Sequence, residues 1–492
     1  MIASCLFIFI LCIGIISCVQ AANTENGTNT SKDKKINTKI TIGPKTPGGL
    51  KHAIKIAKEN DTIYLKKGTY TVTKNTGITI TKNIKITGKG SKVIINAQGK
   101  RRIFKITNSN VTLKKLKLTK GYSSLSGGAI YSKNSSLTVK NCTFTNNQAK
   151  KTSKYSQRSG GAIYYYNKNG CLKVNNCIFT NNKAEWEGGA ISCEGKTTID
   201  NCTFKNNQAK WSGGAIIDNG NSTINKCTFK KNKAGGGGAI SCRGSTINQC
   251  TFKNNQAEFG GAISADYMST INNSTFTNNQ AEIHGGAIFC EDSTINQSTF
   301  KNNQAKEEGG AIYDREFSTI NQCTFKKNQA LNGGAIHDEW NSTIDQCTFQ
   351  NNQAKMNGGA IHHKSEVLIN NCTFINNQAK KDGGAICEVV QFVHYSDGSP
   401  HHIFIVTNCI FTTNQAKRNG GAIFSASDST IEKCTFEKNK ANQKGGGIYN
   451  QAELLQITNS IFKNNTAAKD YNAIYNKGNL TQKNVTISPK SS

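Results

Sequence analysis

Arginine is scarce in this chain, occurring only at positions 101, 102, 158, 243, 315 and 418, although Lys and Arg together number 61 against 30 Asp and Glu. The formal charge of +31 is therefore carried almost entirely by lysine. Few arginines and no helical reader motif mean that no specific nucleic-acid interface is expected. No segment after the first twenty residues is apolar enough to span a bilayer, so no transmembrane segment is expected in the mature chain. Cysteine pairs at C-x-x-C spacing are missing, which excludes the usual structural zinc modules. What remains is a lysine surplus. It keeps a surface soluble by self-repulsion and also attracts polyanions such as an acidic glycan, a cell wall or a membrane surface.

The first twenty residues contain no charged side chain. Leu6 to Ile16 is a compact apolar run and Val19-Gln20-Ala21 fits a small-residue cleavage site, so residues 1–21 read as a secretory signal peptide. Two alternatives stay open: an uncleaved anchor over Ile2 to Val19, or a lipid on Cys18, since Ile15-Ile16-Ser17-Cys18 resembles a bacterial lipobox. Residues 22–40 are a polar leader expected to be disordered. All three readings place the protein outside the cytoplasm, secreted or on the cell surface.

Between Phe144 and Phe462 the pattern Phe-x-x-Asn-x-Ala occurs thirteen times. Gly-Gly-Ala-Ile, or the variant Gly445-Gly446-Gly447-Ile448, also occurs thirteen times, one step out of phase. From Gly188 to Gly383 the glycine pairs recur every 23 to 25 residues; elsewhere insertions lengthen the interval to 28, 33 or 37. A fixed period of this length marks a solenoid, in which one repeat is one coil and no coil buries its apolar face alone. The repeats fill residues 121–492, after an N-terminal cap and first coils over 41–120.

One coil can be read residue by residue. Ser222-Thr223-Ile224 is a strand with Ile224 inward, and Cys227 and Phe229 share one face of a second strand by two-residue alternation. The Asn232 region turns, the glycine pair passes a corner closed to side chains, and Ala239-Ile240 opens a third strand. Three strands per coil, each stacked on its equivalent, predict an all-β, single-stranded parallel β-helix, right-handed by the crossover rule. Some 18 coils, rising about 4.8 Å each, give a rod of roughly 85 Å.

Two internal ladders follow. Phe144, Phe179, Phe204, Phe229, Phe252, Phe276, Phe300, Phe325, Phe349, Phe374, Phe411, Phe436 and Phe462 stack inside as the largest repeated apolar contribution. Asn147, Asn182, Asn207, Asn232, Asn255, Asn279, Asn303, Asn328, Asn352, Asn377, Asn414, Asn439 and Asn465 form an amide ladder that satisfies turn carbonyls, a structural role. Ten cysteines, from Cys142 to Cys434, sit two residues before the Phe, and Ser274, Ser298 and Ser460 replace them in other coils. Parallel stacked side chains make poor disulfides, so these read as buried free thiols, suited to an anaerobic environment. At the front, Leu50, Ala53, Ile54 and Ala57 have helical spacing and predict a short helix plugging the open end. At the back, Leu480, Val485 and Ile487 finish a last coil.

These alternating Gly-Gly-Ala-Ile and Phe-x-x-Asn repeats resemble those of chlamydial polymorphic outer-membrane proteins. With the opening Asp61-Thr62-Ile63-Tyr64-Leu65 and Gly68-Thr69-Tyr70, the lysine- and asparagine-rich form is similar to adhesin-like surface proteins of methanogenic archaea. The resemblance covers about residues 40 to 488. It implies a pectate-lyase-like β-helix whose role is surface adhesion. The outer-membrane barrel that ends the chlamydial proteins is not expected within these 492 residues.

An enzyme on the same scaffold is the alternative, a polysaccharide lyase or hydrolase. The Asn-Thr-Asp, Asp-Asp and Gly-His-Gly strings of polygalacturonase-like enzymes are missing, and no arginine base beside calcium-binding carboxylates stands out. No catalytic residue and no cofactor is assigned. One constellation is the place where a metal or a reaction would sit. Asp314, Asp338, His363 and Glu388 each lie two positions beyond the Ile of the glycine motif in four successive coils, with Tyr313, His337, His362 and Cys387 in the column beside them. The same column holds Cys193, Asp218, Cys242, Ala265 and Cys290 earlier, so it also reads as ordinary polar surface. A third reading, a metal-binding β-helix, uses the His-rich region 337–402. Trp186 and Trp211, in equivalent positions of adjacent coils, are candidate glycan contacts. Fifteen Asn-x-Ser/Thr sequons, among them Asn26, Asn134, Asn341 and Asn479, allow N-glycosylation.

Overall fold

The computed structural model describes residues 39–488 except 72, 151–158, 390–403 and 470–471. The signal and nearly all of the leader therefore lie outside the described residues, as do His394, His401 and His402. The described body is a right-handed parallel β-solenoid of about 17 turns. At about 4.8 Å per turn it is roughly 80 Å long.

The first coils pass through three sheets, and from Tyr122 on most coils add a fourth set of short strands, gathered in a 3-stranded and a 9-stranded sheet. An isoleucine sheet of 18 strands, for example Thr223–Asn225, is followed by a phenylalanine sheet such as Thr228–Lys230. Next come short Gln-Ala strands such as Gln304–Ala305, then the strands after the glycine pair, such as Ile312–Asp314. The Gln-Ala strands are two residues long in most coils, too short to leave a periodic signal. All pairings among the described strands are parallel, and nearly all keep register: Ile224 faces Ile247, Phe229 faces Phe252, and Ile312 faces Ile336, while a bulge after Ala257 shifts Phe259 opposite His284.

The phenylalanine ladder runs unbroken from Phe144 to Phe462, with ring centroids 4.6–4.9 Å apart and planes within 2–6°. The asparagine ladder is buried throughout. Asn303 shows its logic: its Nδ2 donates to Asn328 Oδ1 at 3.1 Å and to the Phe276 carbonyl at 3.0 Å, while its backbone N–H donates to the same Asn328 oxygen at 2.9 Å. Every rung thus pairs a corner's buried polar groups. The left-handed residue at this corner is the one before the ladder Asn, for instance Lys231 (φ 56) before Asn232.

The glycine pair is required twice over. Gly309 has φ 67, and a Cβ on Gly310 would lie 2.1 Å from the carbonyl oxygen of Gly334 in the next coil. The cysteines from Cys142 to Cys434 are free, and all are buried except half-buried Cys171. They also link coils: the Cys202 N–H donates to Cys227 Sγ at 3.4 Å, and Cys227 Sγ donates to the Asn225 carbonyl at 3.1 Å. A serine repeats both bonds, Cys250 N–H to Ser274 Oγ at 3.1 Å and Ser274 Oγ to the Asn272 carbonyl at 2.9 Å, which explains the Cys/Ser exchange.

The capping helix spans Gly49–Ile56 and buries Leu50, Ala53 and Ile54, with Asn75 Oδ1 accepting from the Leu50 N–H at 2.9 Å. It is preceded by a strand, Lys39–Ile42, paired with Thr62–Leu65, so the sheet starts before the plug. At the far end Val485 and Ile487 pack on the core, but Leu480 is 40% exposed.

Candidate functional site

The column Asp314, Asp338, His363 and Glu388 is not a surface. All four side chains are buried inside the solenoid, on the face of the preceding Ile. The reading of this column as ordinary polar surface is thereby corrected: strand alternation puts the residue two beyond a buried Ile on the same inner side. The interior satisfies most of their polar atoms locally. Ser342 Oγ donates toward Asp314 and lies 2.7 Å from Asp338 Oδ1, and Asp314 also accepts from Ser318 Oγ at 2.6 Å. Glu388 accepts from Ser425 Oγ at 2.9 Å and from the Ala426 and Ser427 N–H groups at 2.6 and 2.8 Å. His363 Nδ1 bonds the Ser365 carbonyl at 3.1 Å, whereas its Nε2 and Asp338 Oδ2 have no hydrogen-bond partner among the described residues. Burial raises the Asp314 and Asp338 carboxyls, Asp338 well above the usual range with the Asp314 charge adding to it, and pushes His363 down to about 4. Sealed from solvent, this column cannot reach a polymer.

The neighbouring column lies on the opposite face of the same strands, turned away from the solenoid interior, but is buried as well. Tyr313, His337 and His362 stack with centroids 5.1 and 4.9 Å apart, and Cys387 follows in register. Residues that the sequence reading did not single out flank it. His337 Nε2 lies 2.9 Å from Glu339 Oε1 and 3.4 Å from Glu308 Oε2. Glu339 also accepts from Lys364 Nζ at 2.8 Å and Tyr313 OH at 2.9 Å. Desolvation opposes ionisation of Glu339, but the hydrogen bonds from His337 and Lys364 hold its carboxyl well below the usual range. Glu308 occupies the position just before the glycine pair, which is itself in register from coil to coil, as the His284–Glu308 and Glu308–Asn332 bridges show. That column was available in the sequence as a third alignment.

A second accessible feature is on the phenylalanine sheet's outer side. Its exposed face carries a threonine column and a lysine column: Thr203, Thr228 and Thr251 are in register, as are Lys205, Lys230 and Lys253. Along one edge runs a groove of about 640 Å³, lined by Asn225, Asn248, Asn272, Asn296 and Asn321 with Lys226, Gln249, Asn273, Gln297 and Gln322 beside them. The asparagines are chained, Asn248 Nδ2 to Asn225 Oδ1 at 3.0 Å and Asn272 Nδ2 to Asn248 Oδ1 at 3.0 Å. Trp186 and Trp211 lie at the corner before the glycine pair, centroids 5.4 Å apart and tilted by 48°, with Trp211 half exposed and Lys210 Nζ 5.4 Å from its ring centre.

Comparison with known proteins agrees with this architecture. Residues 128–305, 189–338 and 286–397 match the family described as "Right handed beta helix region". Residues 408–426 and 433–451 match the Chlamydia polymorphic membrane protein repeat. No curated protein matches the chain. Among solved structures, the chain is similar to a complex of alginate lyase AlyF-OU02, with 13% identity, TM-score 0.39, and 82% of this chain and 86% of that one covered. It is similar to a mannuronic acid specific polysaccharide family 6 lyase from human gut microbiota, with 11% identity, TM-score 0.37 and coverage of 90% and 91%. A third is the Azotobacter vinelandii mannuronan C-5 epimerase AlgE6 A-module, with 10% identity, TM-score 0.27 and coverage of 90% and 93%. The matched segments run together over residues 128–397, more than half of the chain, and the protein belongs to the right-handed β-helix family.

Proposed function

We propose that the protein is a surface-displayed, adhesin-like rod that binds an acidic polysaccharide along the outer face of its phenylalanine sheet and turns nothing over. The observation that carries this reading is the register column Lys205, Lys230 and Lys253. Like charges stacked one strand apart are unfavourable for the fold, and among the described residues none of the three forms an ion pair with a carboxylate. A polyanion running along the axis relieves that repulsion. The threonine hydroxyls and the amide groove supply neutral hydrogen-bond groups at the same repeat, and Trp186 and Trp211 add rings on which sugars stack. Carboxylates or phosphates spaced by about one sugar unit along an extended chain keep step with such a column.

Binding is favoured over turnover because the acid and histidine column with the strongly shifted carboxyls is sealed inside. Display outside the cytoplasm is supported by the apolar start of the chain and by the polymorphic membrane protein repeats. Among the described residues no helix is long and apolar enough to cross a membrane. Incubation with a polyuronate and with a neutral glucan tests the reading. Salt-sensitive retention on the polyuronate alone, with its chain length unchanged, is expected; shortened polyuronate or equal retention on both would overturn it.

A further inference from the structure

The column of the glycine-corner sheet that points away from the interior carries stacked aromatic rings on either side of its histidines. Phe289 stacks on Tyr313 at 5.2 Å, and further on Phe424 stacks on Tyr449 at 5.2 Å and Tyr449 on Tyr475 at 4.7 Å. In two successive coils it carries imidazoles instead, and there carboxylates flank it on both sides. His337 and His362 present the same atom to each other, with their Nδ1 nitrogens 2.9 Å apart. His337 is fully buried and His362 nearly so. Donor atoms of Glu308, His337 and His362 all lie within 4.8 Å of one another.

We propose that Glu308, His337 and His362 form a binding site for a divalent transition metal of the Zn²⁺ class. The site is independent of the polysaccharide face. Two imidazole nitrogens with one carboxylate suit a borderline cation, whereas Ca²⁺ and Mg²⁺ want oxygen alone. Ligand nitrogens about 2.0–2.1 Å from a tetrahedral zinc stand about 3.3 Å apart, so the two rings need separate by only a few tenths of an ångström. The outer shell is already in place: His337 Nε2 points at Glu339 at 2.9 Å, and Glu339 is held by Lys364 and Tyr313. With Nε2–H donated to Glu339, His337 Nδ1 carries the lone pair that a metal needs. This carboxylate–histidine pairing fixes tautomer and ring orientation at metal centres generally. In the metal-free protein one proton bridges the two Nδ1 atoms. Metal binding displaces it: the His362 proton moves from Nδ1 to Nε2, so both imidazoles stay neutral with no net proton released, and His337, His362 and a Glu308 oxygen become ligands.

The experiment uses the full, reduced, untagged chain carrying Cys171→Ser, which removes the one half-buried thiol among the described residues. Zn²⁺ is titrated calorimetrically after chelator treatment, and Co²⁺ is added in parallel for its absorption spectrum. One ion per chain is expected, with a Co²⁺ spectrum of nitrogen and oxygen ligands and no thiolate charge-transfer band. Glu339→Gln should weaken binding by about 10- to 100-fold. His337→Phe, which restores the ring found at Phe289, should abolish binding while the β-sheet circular dichroism persists. Glu308→Gln, a near-isosteric change at the partly buried member of the trio, should also weaken binding. Stoichiometry and affinity unchanged in folded Glu308→Gln and His337→Phe, a thiolate band, or no uptake of Zn²⁺ by the parent would each overturn the site.

Discussion

Asp314 and Asp338, one coil apart inside the solenoid, share the hydroxyl of Ser342, which sits 2.7 Å from Asp338 Oδ1 and bonds Asp314 as well. Desolvation raises both carboxyls, and for Asp338 the neighbouring Asp314 adds to it. The folded pair therefore keeps protons that unfolded carboxyls release near pH 4. Below that pH both states are protonated and the pair adds no pH dependence. Above it the unfolded state binds fewer protons than the folded one, so stability from this pair falls as pH rises. Relative to Asp338→Asn, the parent should lose stability as the pH rises above about 4 in matched denaturant titrations in chelator. A difference that stays flat or grows with pH would mean that both carboxylates are ionised in the fold.

Phe300 is fully buried in mid-ladder and Thr299 beside it is exposed. Phe300→Ala should cost about 3–5 kcal/mol in the stability of the surrounding coils, and Thr299→Ala a small fraction of that. Hydrogen exchange localises the loss to neighbouring rungs, because solenoid coils contact only their neighbours.

Asn328→Ala should cost more than its size suggests. It removes the acceptor for the Asn303 N–H and Nδ2 and the donor to the Phe300 carbonyl, all buried. Each stranded group costs about 1–3 kcal/mol, so proteolytic nicking near this corner should become readily detectable.

The sequence carried the ladders and the period because each rung repeats the same chemistry thirteen times, and register then follows from counting. It hid the Gln-Ala sheet, whose strands are mostly two residues long. It also misled at Asp314, Asp338, His363 and Glu388: two-residue alternation, applied without trouble to Cys227 and Phe229, puts these four inside, but their polarity argued for the surface. For the two aspartates, Ser318 and Ser342, each four residues on at the next corner, make that burial tolerable, and for Glu388 it is Ser425 with the Ala426 and Ser427 N–H groups one coil away. Glu339 was hidden and Glu308 overlooked for a related reason. They approach His337 from other positions of the coil, and only one of these, the residue before the glycine pair, is a regular column.

Thiol chemistry separates the interior from the surface. Burial pushes the Cys242 thiol up to about 12, and Cys193 and Cys290 are raised as well. In native protein at pH 8 a disulfide reagent should modify Cys171 fast and the other described cysteines only on unfolding, when the thiols from Cys142 to Cys434 all react. Missing thiols after air-free unfolding would reveal bridges between stacked rungs.

The lysine column on the phenylalanine sheet is the centre of the functional account, and the salt dependence of polyuronate binding measures it most directly. Lys205→Gln, Lys230→Gln and Lys253→Gln, combined in one chain, leave the outer face polar and the ladders untouched. At physiological ionic strength screening acts over about 8 Å, so only lysines clustered at strand spacing contribute strongly. The account predicts that affinity for the polyuronate falls steeply with salt in the parent, and that the triple variant binds more weakly with a clearly shallower salt slope. An unchanged affinity and slope in a folded triple variant would contradict it.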